Sequence, residues 1–568
     1  MKESLIPLRT FLHRPQGAYP HGGEAIVQAR MFQPRRGSQA VRIQTPLDWE
    51  TDAGGDRNFR MQLHGWTMFH PVMNVFDSLR DKRAAVDYLL EVAADWWSRY
   101  RDDPDDVVTS RTPDSYAWYD MSVGVRALIL AFFSNRISYF RIDLPSEEWG
   151  LLREICMKHV RHLRNPKVLY PNNHGIFQLH GLRALAETWD YPENQRDRQY
   201  AEKAMASLMR QQFDGTGVHR EHSPHYHIFA VKTFEDVAAS GWYDDVDGFR
   251  EVLRSARKVT PWLVDPLKRP AAVGDSTATV QEDVEVPADQ VDADLLVSAF
   301  GSAGYQVIRS QWSTPADEAT YLFFTGAYHS KTHKHRDCLS FEWFEAGHKR
   351  LVDSGKYGYF ADDIRRYVLS ARAHNTVEIE GLDILRMSPY GSAVRSCAVD
   401  SNGICEVRGE LNFRAIRHLR RLFLNPGKWI VVADQLSFNR RRTATQWFHV
   451  GLGHEFVRAY RSGAMFRGPD DKELWIETTC EESELVIHRG DTAAWQGFVS
   501  EKDDHVEPGF AVGYRLIAES ASILSVVALG CEELTDARRF AGELLADEGG
   551  DREPAAMEVA RVPKQRTG

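Results

Sequence analysis

The chain has 568 residues, 43% hydrophobic and 26% charged, a globular composition and more sequence than one ordinary core can hold. Its 70 basic and 80 acidic side chains leave a formal charge of −10, which speaks against a general nucleic-acid binder, and no apolar run approaches the roughly 20 residues of a membrane span. Six cysteines without a CxxC spacing argue against a disulfide scaffold and a thiolate zinc site, whereas 22 histidines are enough to make their placement informative.

The opening stretch, MKESLIPLRTFLHRPQ, lacks the apolar core of a secretion signal. The expectation is a protein that stays inside the cell, or one whose leader lies outside this numbering. Helical periodicity then dominates. In RAAVDYLLEVAADWWSRY the residues Val86, Leu89, Leu90, Ala93, Trp97 and Tyr100 recur at steps of three and four, which makes one buried stripe. Similar stripes follow in VGVRALILAFF, EEWGLLREICMKHVRHL, GIFQLHGLRALAETW, RQYAEKAMASLMRQQF, IFAVKTFEDVAASGW and FREVLRSARKVTPWLV. Such helices in series must close into a bundle, a solenoid or a ring to bury their stripes.

Two polar clusters interrupt them. YPNNHG (Tyr170–Gly175) leads into a helix, so Asn173 and His174 stand where backbone donors and the helix dipole favour an anion; an asparagine there also suits a plain helix cap. EHSPHYH (Glu221–His227) places Ser223 and Pro224 at a helix start and surrounds Tyr226 with His222, His225 and His227. A phenol can act as acid or base where positive neighbours lower its pKa.

From Pro261 to Gln290 proline and turn residues replace the helical period, and the stretch reads as a linker. Beyond it the period becomes two, in GYQVIRSQW, ATYLFFTGAY, CLSFEWFE, KRLVDSG, HNTVEIEG, KWIVVADQL, TQWFHVG, ELVIHRG and ILSVVALG, which predicts antiparallel sheet. The expected organisation is a helical domain over 1–290, a β-sandwich over 291–540 with its boundary near Val291, and a polar, frayed tail over 541–568. Within the β half, His333, His335 and Asp337 at i, i+2 and i+4 would share one side of a strand edge and suit zinc chemistry. Asp353 would return on the neighbouring strand, roughly opposite Glu342, and His374 is a further candidate ligand. The basic runs AIRHLRR and NRRR read as solvated strand faces.

In this order, NNHG, then EHSPHYH, then HKHRD, LVDSG and AHNTV resemble the heparinase II/III-like polysaccharide lyases over about residues 45–540. The resemblance implies an N-terminal (α/α) toroid followed by an antiparallel β-sandwich, an acidic, uronic-acid-containing polysaccharide as partner, and cleavage by β-elimination to 4,5-unsaturated products. It implies that Asn173 and His174 neutralise the substrate carboxylate, and that Tyr226 and His333 exchange the protons. A zinc ion, mainly structural, is implied at His335, Asp353 and His374. Tyr357 matches a tyrosine near the family's substrate cleft. Arg126 is expected to bind a carboxylate, and Trp66, Trp118 and Tyr119 to stack on sugar rings. Lys334, between the two histidines, departs from the small residue many members carry there. A glycoside hydrolase on the same toroid and a non-catalytic glycan-binding protein are the competing classes; the hydrolase would need two facing carboxylates.

Overall fold

The apolar steps of the first half close as helices Lys82–Tyr100, Asp120–Tyr139, Ser146–Leu163, Asn173–Thr188, Asn194–Gln212, Pro224–Ala238 and Phe249–Val259 in the computed structural model. The structure describes residues 4–14, 22–34, 40–51, 57–104, 116–288, 294–326, 328–384, 391–414 and 416–548. Short helices Gly23–Ala29, Arg57–His64 and His70–Val75 precede the long ones. Lys82–Tyr100 starts where the Asp81 carboxylate accepts the Ala84 N–H, and it buries Val86, Leu89, Leu90, Ala93 and Trp96. Trp96 therefore takes the inward place expected for Trp97, which is half-buried.

The chain divides into two compact units: Met1–Phe213 with Ala230–Arg254, and Asp214–Phe229 with Ser255–Gly568. In the first unit, Asp120–Tyr139 and Asn173–Thr188 are buried almost all round. Glycines set their spacing. A Cβ on Gly124 would collide with the backbone of Phe177 and Gln178, and one on Gly181 with the carbonyl of Gly124. The two backbones thus approach as closely as helices can, and this fixes the N-terminus of Asn173–Thr188 against that of Asp120–Tyr139.

The second unit is an antiparallel β-sandwich. Leu295–Val297, Tyr305–Ser310, Thr320–Thr325, Ser340–Glu345 and His348–Leu351 follow one another as hydrogen-bonded neighbours within a 15-stranded sheet system. KWIVVADQL and TQWFHVG, read as separate runs, belong to one 22-residue strand, Trp429–Val450. It pairs with Phe510–Ala528 along most of its length, and a register shift between Ser437 and Arg442 separates the two runs. Inward residues Leu322, Phe324, Phe341, Trp343, Leu422, Ile430, Val432, Phe448 and Tyr514 form its main core.

Three expectations change here. The stretch after Pro261 is irregular, yet Leu263, Ala271 and Val273 are buried with Tyr305, Val307 and Phe323, so it is core rather than a solvated linker. AIRHLRR is solvated on one side only: His418 and Arg420 point inward onto the buried carboxylate of Asp434. The tail is helical to Glu548, with Leu534, Ala537 and Ala541 packed on Phe423 and Trp429, because period-two strands leave that apolar face to be covered. The boundary expected near Val291 and residues 549–568 lie outside the described residues.

Candidate active site

In the second unit the structure brings together what lay 107 positions apart in the chain, Tyr226 and His333. Their rings stack with centroids 3.6 Å apart and planes inclined by 16°. Tyr226 is held by its helix start: the Ser223 hydroxyl accepts the Tyr226 N–H and bonds Ser276 Oγ at 2.7 Å. The three histidines around it in sequence do other work. The ring of His222 accepts the N–H groups of His329 and Ser330 at 3.1 and 3.0 Å, and His227 bonds the Ala256 carbonyl and Thr260. Only His225 meets the Tyr226 ring, edge-on at 5.8 Å.

His333 and His335 do not sit on a strand. Residues 328–339 form a loop in which His333 has φ +53°, and Asp337 turns away to a buried ion pair with Lys334 and to the Gly274 N–H. Lys334 is thereby accounted for. What gathers the two histidines is Asp275, from the stretch read as linker. Its carboxylate accepts from His333 Nδ1 at 2.8 Å, His335 Nε2 at 2.9 Å and Arg365 at 2.7 Å. Burial raises the Asp275 pKa, but the bonds from His333 and His335 and the charges of His335 and Arg365 outweigh it and hold the carboxyl well below its usual range. Glu221 stands 3.5 Å from His333 Nε2.

Tyr226 does not have the lowered pKa expected of it. Burial pushes the phenol up to about 12, against the bond from Tyr359, and the charges of Asp275, Glu221 and Asp503 add to the rise. It rests as a proton donor. Its hydroxyl bonds Tyr359 Oη at 2.7 Å, and Tyr359 Oη lies 3.5 Å from His333 Nδ1. Tyr359 is 58% exposed, with Lys356 and Arg365 5.1 and 5.2 Å from its ring centroid. Tyr357 is not the tyrosine at this place: it packs among Tyr367, Phe498 and Trp495. Period two puts Tyr357 and Tyr359 on one side of an extended chain, but φ +63° at Tyr357 breaks that rule.

His335, Asp353 and His374 come together, all buried. The ring centroids of His335 and His374 are 5.5 Å apart, His374 Nδ1 bonds Asp353 at 2.7 Å, and the Asp353 N–H donates to Glu342 at 3.0 Å. His335 Nδ1 and His374 Nε2 are buried without a hydrogen-bond partner, which suits a cation. Asp353 stands behind His374 and orients its ring. Among the described residues, no group of three or more His, Cys, Asp or Glu side chains is arranged to hold a metal ion, so two imidazoles rather than three ligands face that role.

In the first unit, Asn172 takes the capping duty, accepting the His174 N–H at 3.0 Å, which leaves the side chains of Asn173 and His174 other uses. Asn173 is nearly buried, whereas the His174 side chain is 38% exposed and bonds Asp120 Oδ2 at 2.7 Å. Asp120, which sequence reasoning did not single out, opens its helix at φ +50°. Arg126 does not reach solvent. It is fully buried, donates to His159 at 2.8 Å and to the carbonyls of Ala117 and His64, and lies 4.1 Å from the Trp96 ring centroid. Trp66, Trp118 and Tyr119 are likewise buried, Trp118 against His159 and His162, so none is a sugar platform.

Two family models match the chain, Heparinase II/III N-terminus over residues 21–250 and Heparinase II/III-like, C-terminal over residues 294–510. No curated protein matches the sequence significantly. Among solved structures, a heparinase III matches with a TM-score of 0.71 at 17% identity, covering 92% of this chain and 89% of that one. A heparan sulfate lyase from Pedobacter heparinus follows at 0.63 and 17%, over 90% and 82% of the two chains. The chondroitin AC lyase of Streptomyces coelicolor, solved with chondroitin sulphate, gives 0.52 and 8%, over 95% and 82%. These likenesses speak for the fold, an (α/α) toroid followed by a β-sandwich, while the two models carry the kinship. The chain belongs to the heparinase II/III-like family and is a polysaccharide lyase.

Proposed function

We propose that this lyase cleaves a uronic-acid-containing glycosaminoglycan by β-elimination. The Tyr226–His333 stack, with Asp275 behind the imidazole, is the observation that carries the reading. The C5 proton of a uronate is weakly acidic, and its removal needs the adjacent carboxylate neutralised so that charge on the enolate-like intermediate is stabilised. Asn173 and His174 are assigned to that carboxylate. Asp120 beside His174 supports the assignment, because a carboxylate at Nδ1 fixes the ring and leaves Nε2 for the ligand.

His333 has the same construction. Its Nδ1–H is given to Asp275, so Nε2 is the nitrogen that takes the C5 proton. Tyr226, protonated at rest, gives its proton to the departing O4, and the C4–O4 bond breaks as the C4–C5 double bond forms. Tyr359, exposed to solvent and 2.7 Å from Tyr226, relays a proton from water to Tyr226, and His333 releases the C5 proton to water, which restores both groups. The acidic neighbours of the two structural relatives, heparan sulfate and chondroitin sulphate, support a glycosaminoglycan over a neutral glycan. Zinc is proposed between His335 and His374, where it would hold the loop; no proton passes through it.

A panel of heparan sulfate, chondroitin sulfate, hyaluronan and alginate, followed by ultraviolet absorbance of the new double bond, tests the reading. Expected is rising absorbance on at least one glycosaminoglycan, reduced about 10²–10⁴-fold in Y226F and H333A with the fold intact. Reducing ends without absorbance would point to hydrolysis, and no product on any uronan would remove the reaction.

A further inference from the structure

We propose that Asp275 is the positioning residue of this site: it sets the tautomer and aim of His333 and ties that histidine to His335 as one unit. The inference rests on the reading that Tyr226 and His333 exchange the protons. It explains why two histidines with a spacer occur in a loop rather than on a strand. One carboxylate takes a ring N–H from each, His333 on Oδ2 and His335 on Oδ1, while Lys334 between them is spent on Asp337. A carboxylate accepts only, and of the two that face His333 Asp275 is much the nearer, 2.8 Å from Nδ1 against 3.5 Å from Nε2 to Glu221, so Nδ1 carries the proton and Nε2 is the nitrogen left for substrate.

The segment that carries Asp275 is built to hold this arrangement. The Asp275 N–H donates to the His333 carbonyl at 3.1 Å, so the two residues are joined through backbone and side chain at once. The Asp275 carbonyl accepts from Ser223 Oγ at 3.0 Å, three residues before Tyr226. Tyr226 and His333 are thus both referenced to one residue. Gly274, at φ +57°, makes room: a Cβ there would strike the carbonyl oxygens of His222 and His333. Arg365 completes the carboxylate's third bond and also donates to the Lys356 carbonyl, in the turn that leads to Tyr359. A buried carboxylate with three donors, each from a residue of the site or its loop, does more than fill space.

The test combines kinetics with the ring nitrogens of His333. In D275N the amide cannot serve three donors, and kcat is expected to fall at least about 10²-fold with KM within about threefold, because orientation and not substrate contact is lost. In the folded wild type, long-range proton–nitrogen spectra of histidine-labelled protein are expected to show His333 as the Nδ1–H tautomer. H333A, run on the same uronan panel, separates the two claims. Should H333A keep the wild-type rate, the proposed chemistry fails, while the tautomer still decides the role of Asp275. An inactive H333A beside a D275N within about threefold of wild type would overturn the positioning role alone. A wild-type His333 in the Nε2–H tautomer would overturn it whether or not D275N folds.

Discussion

The phenol of Tyr226 lies flat on the imidazole of His333, centroids 3.6 Å apart, and its hydroxyl reaches past that ring to Tyr359. One face of each ring is therefore spent on the other, and the polar edges are left for chemistry. The stack also leaves the Tyr226 phenol half-buried, with consequences for its ionisation.

Burial pushes Tyr226 from 10 up to about 12, so the folded state keeps a proton that the unfolded chain releases. The contribution is fully present below pH 10 and is lost as pH rises from 10 through about 12. Wild type should lose more melting temperature than Y226F across that window. Parallel melting curves of the two proteins check this, and equal losses would contradict the raised pKa.

Arg126 predicts a stability effect rather than a binding effect. R126Q strands the carbonyls of Ala117 and His64 and removes the cation beside Trp96. Unsatisfied buried groups cost about 1–3 kcal/mol each, so a loss of about 2–4 kcal/mol is expected in denaturant titrations. KM for substrate, measured on the folded fraction, should change less than about twofold.

Glycines at close backbone approaches within each unit should be intolerant. G124V drives a branched side chain into the backbone of Phe177, for a cost of about 2 kcal/mol or more. G274A adds the roughly 1–2 kcal/mol of a left-handed residue to a collision with two carbonyls, and activity should fall with stability. Gly150, in Ser146–Leu163 with nothing near its Cβ position, is the control: G150A should stabilise by about 0.5–1 kcal/mol.

The partnerless nitrogens of His335 and His374 predict bound zinc. Elemental analysis of the purified chain should find about one zinc ion, lost in H335A and in H374A. Unchanged zinc in H335A would place the metal elsewhere. Asp353, which orients His374 from behind, predicts a weaker effect: D353N should lower zinc affinity about 10–100-fold without abolishing it.

Much of the fold was legible because it rests on local periods. The stripe through Val86, Leu89 and Leu90 and the alternation of SFEWFE need only neighbours three, four or two residues away to declare themselves. Helix caps were legible for the same reason: of the two asparagines able to cap, Asn172 does so. The clusters NNHG, EHSPHYH and HKHRD stood out because unusual residue types are concentrated in a few positions.

What stayed hidden was set by contacts across long stretches of chain. Asp275 sits in AAVGDST with no histidine or aromatic nearby in sequence, 58 residues from His333, and a lone aspartate after a glycine reads as a turn. Arg126 looked available because the apolar face lies opposite it, and the local sequence offers no hint that Trp96, Trp118 and His159 cover its side of the helix. The choice of Tyr359 over Tyr357 turns on one left-handed residue. By itself the sequence determined the two structural classes, their order and the residue types on offer for proton transfer, since these follow from local spacing and composition. Only the tertiary structure decided which of those residues meet, which are buried beyond use and which carboxylate aims the histidine. Burial, close backbone approach and hydrogen-bond partnership are properties of distant segments brought together.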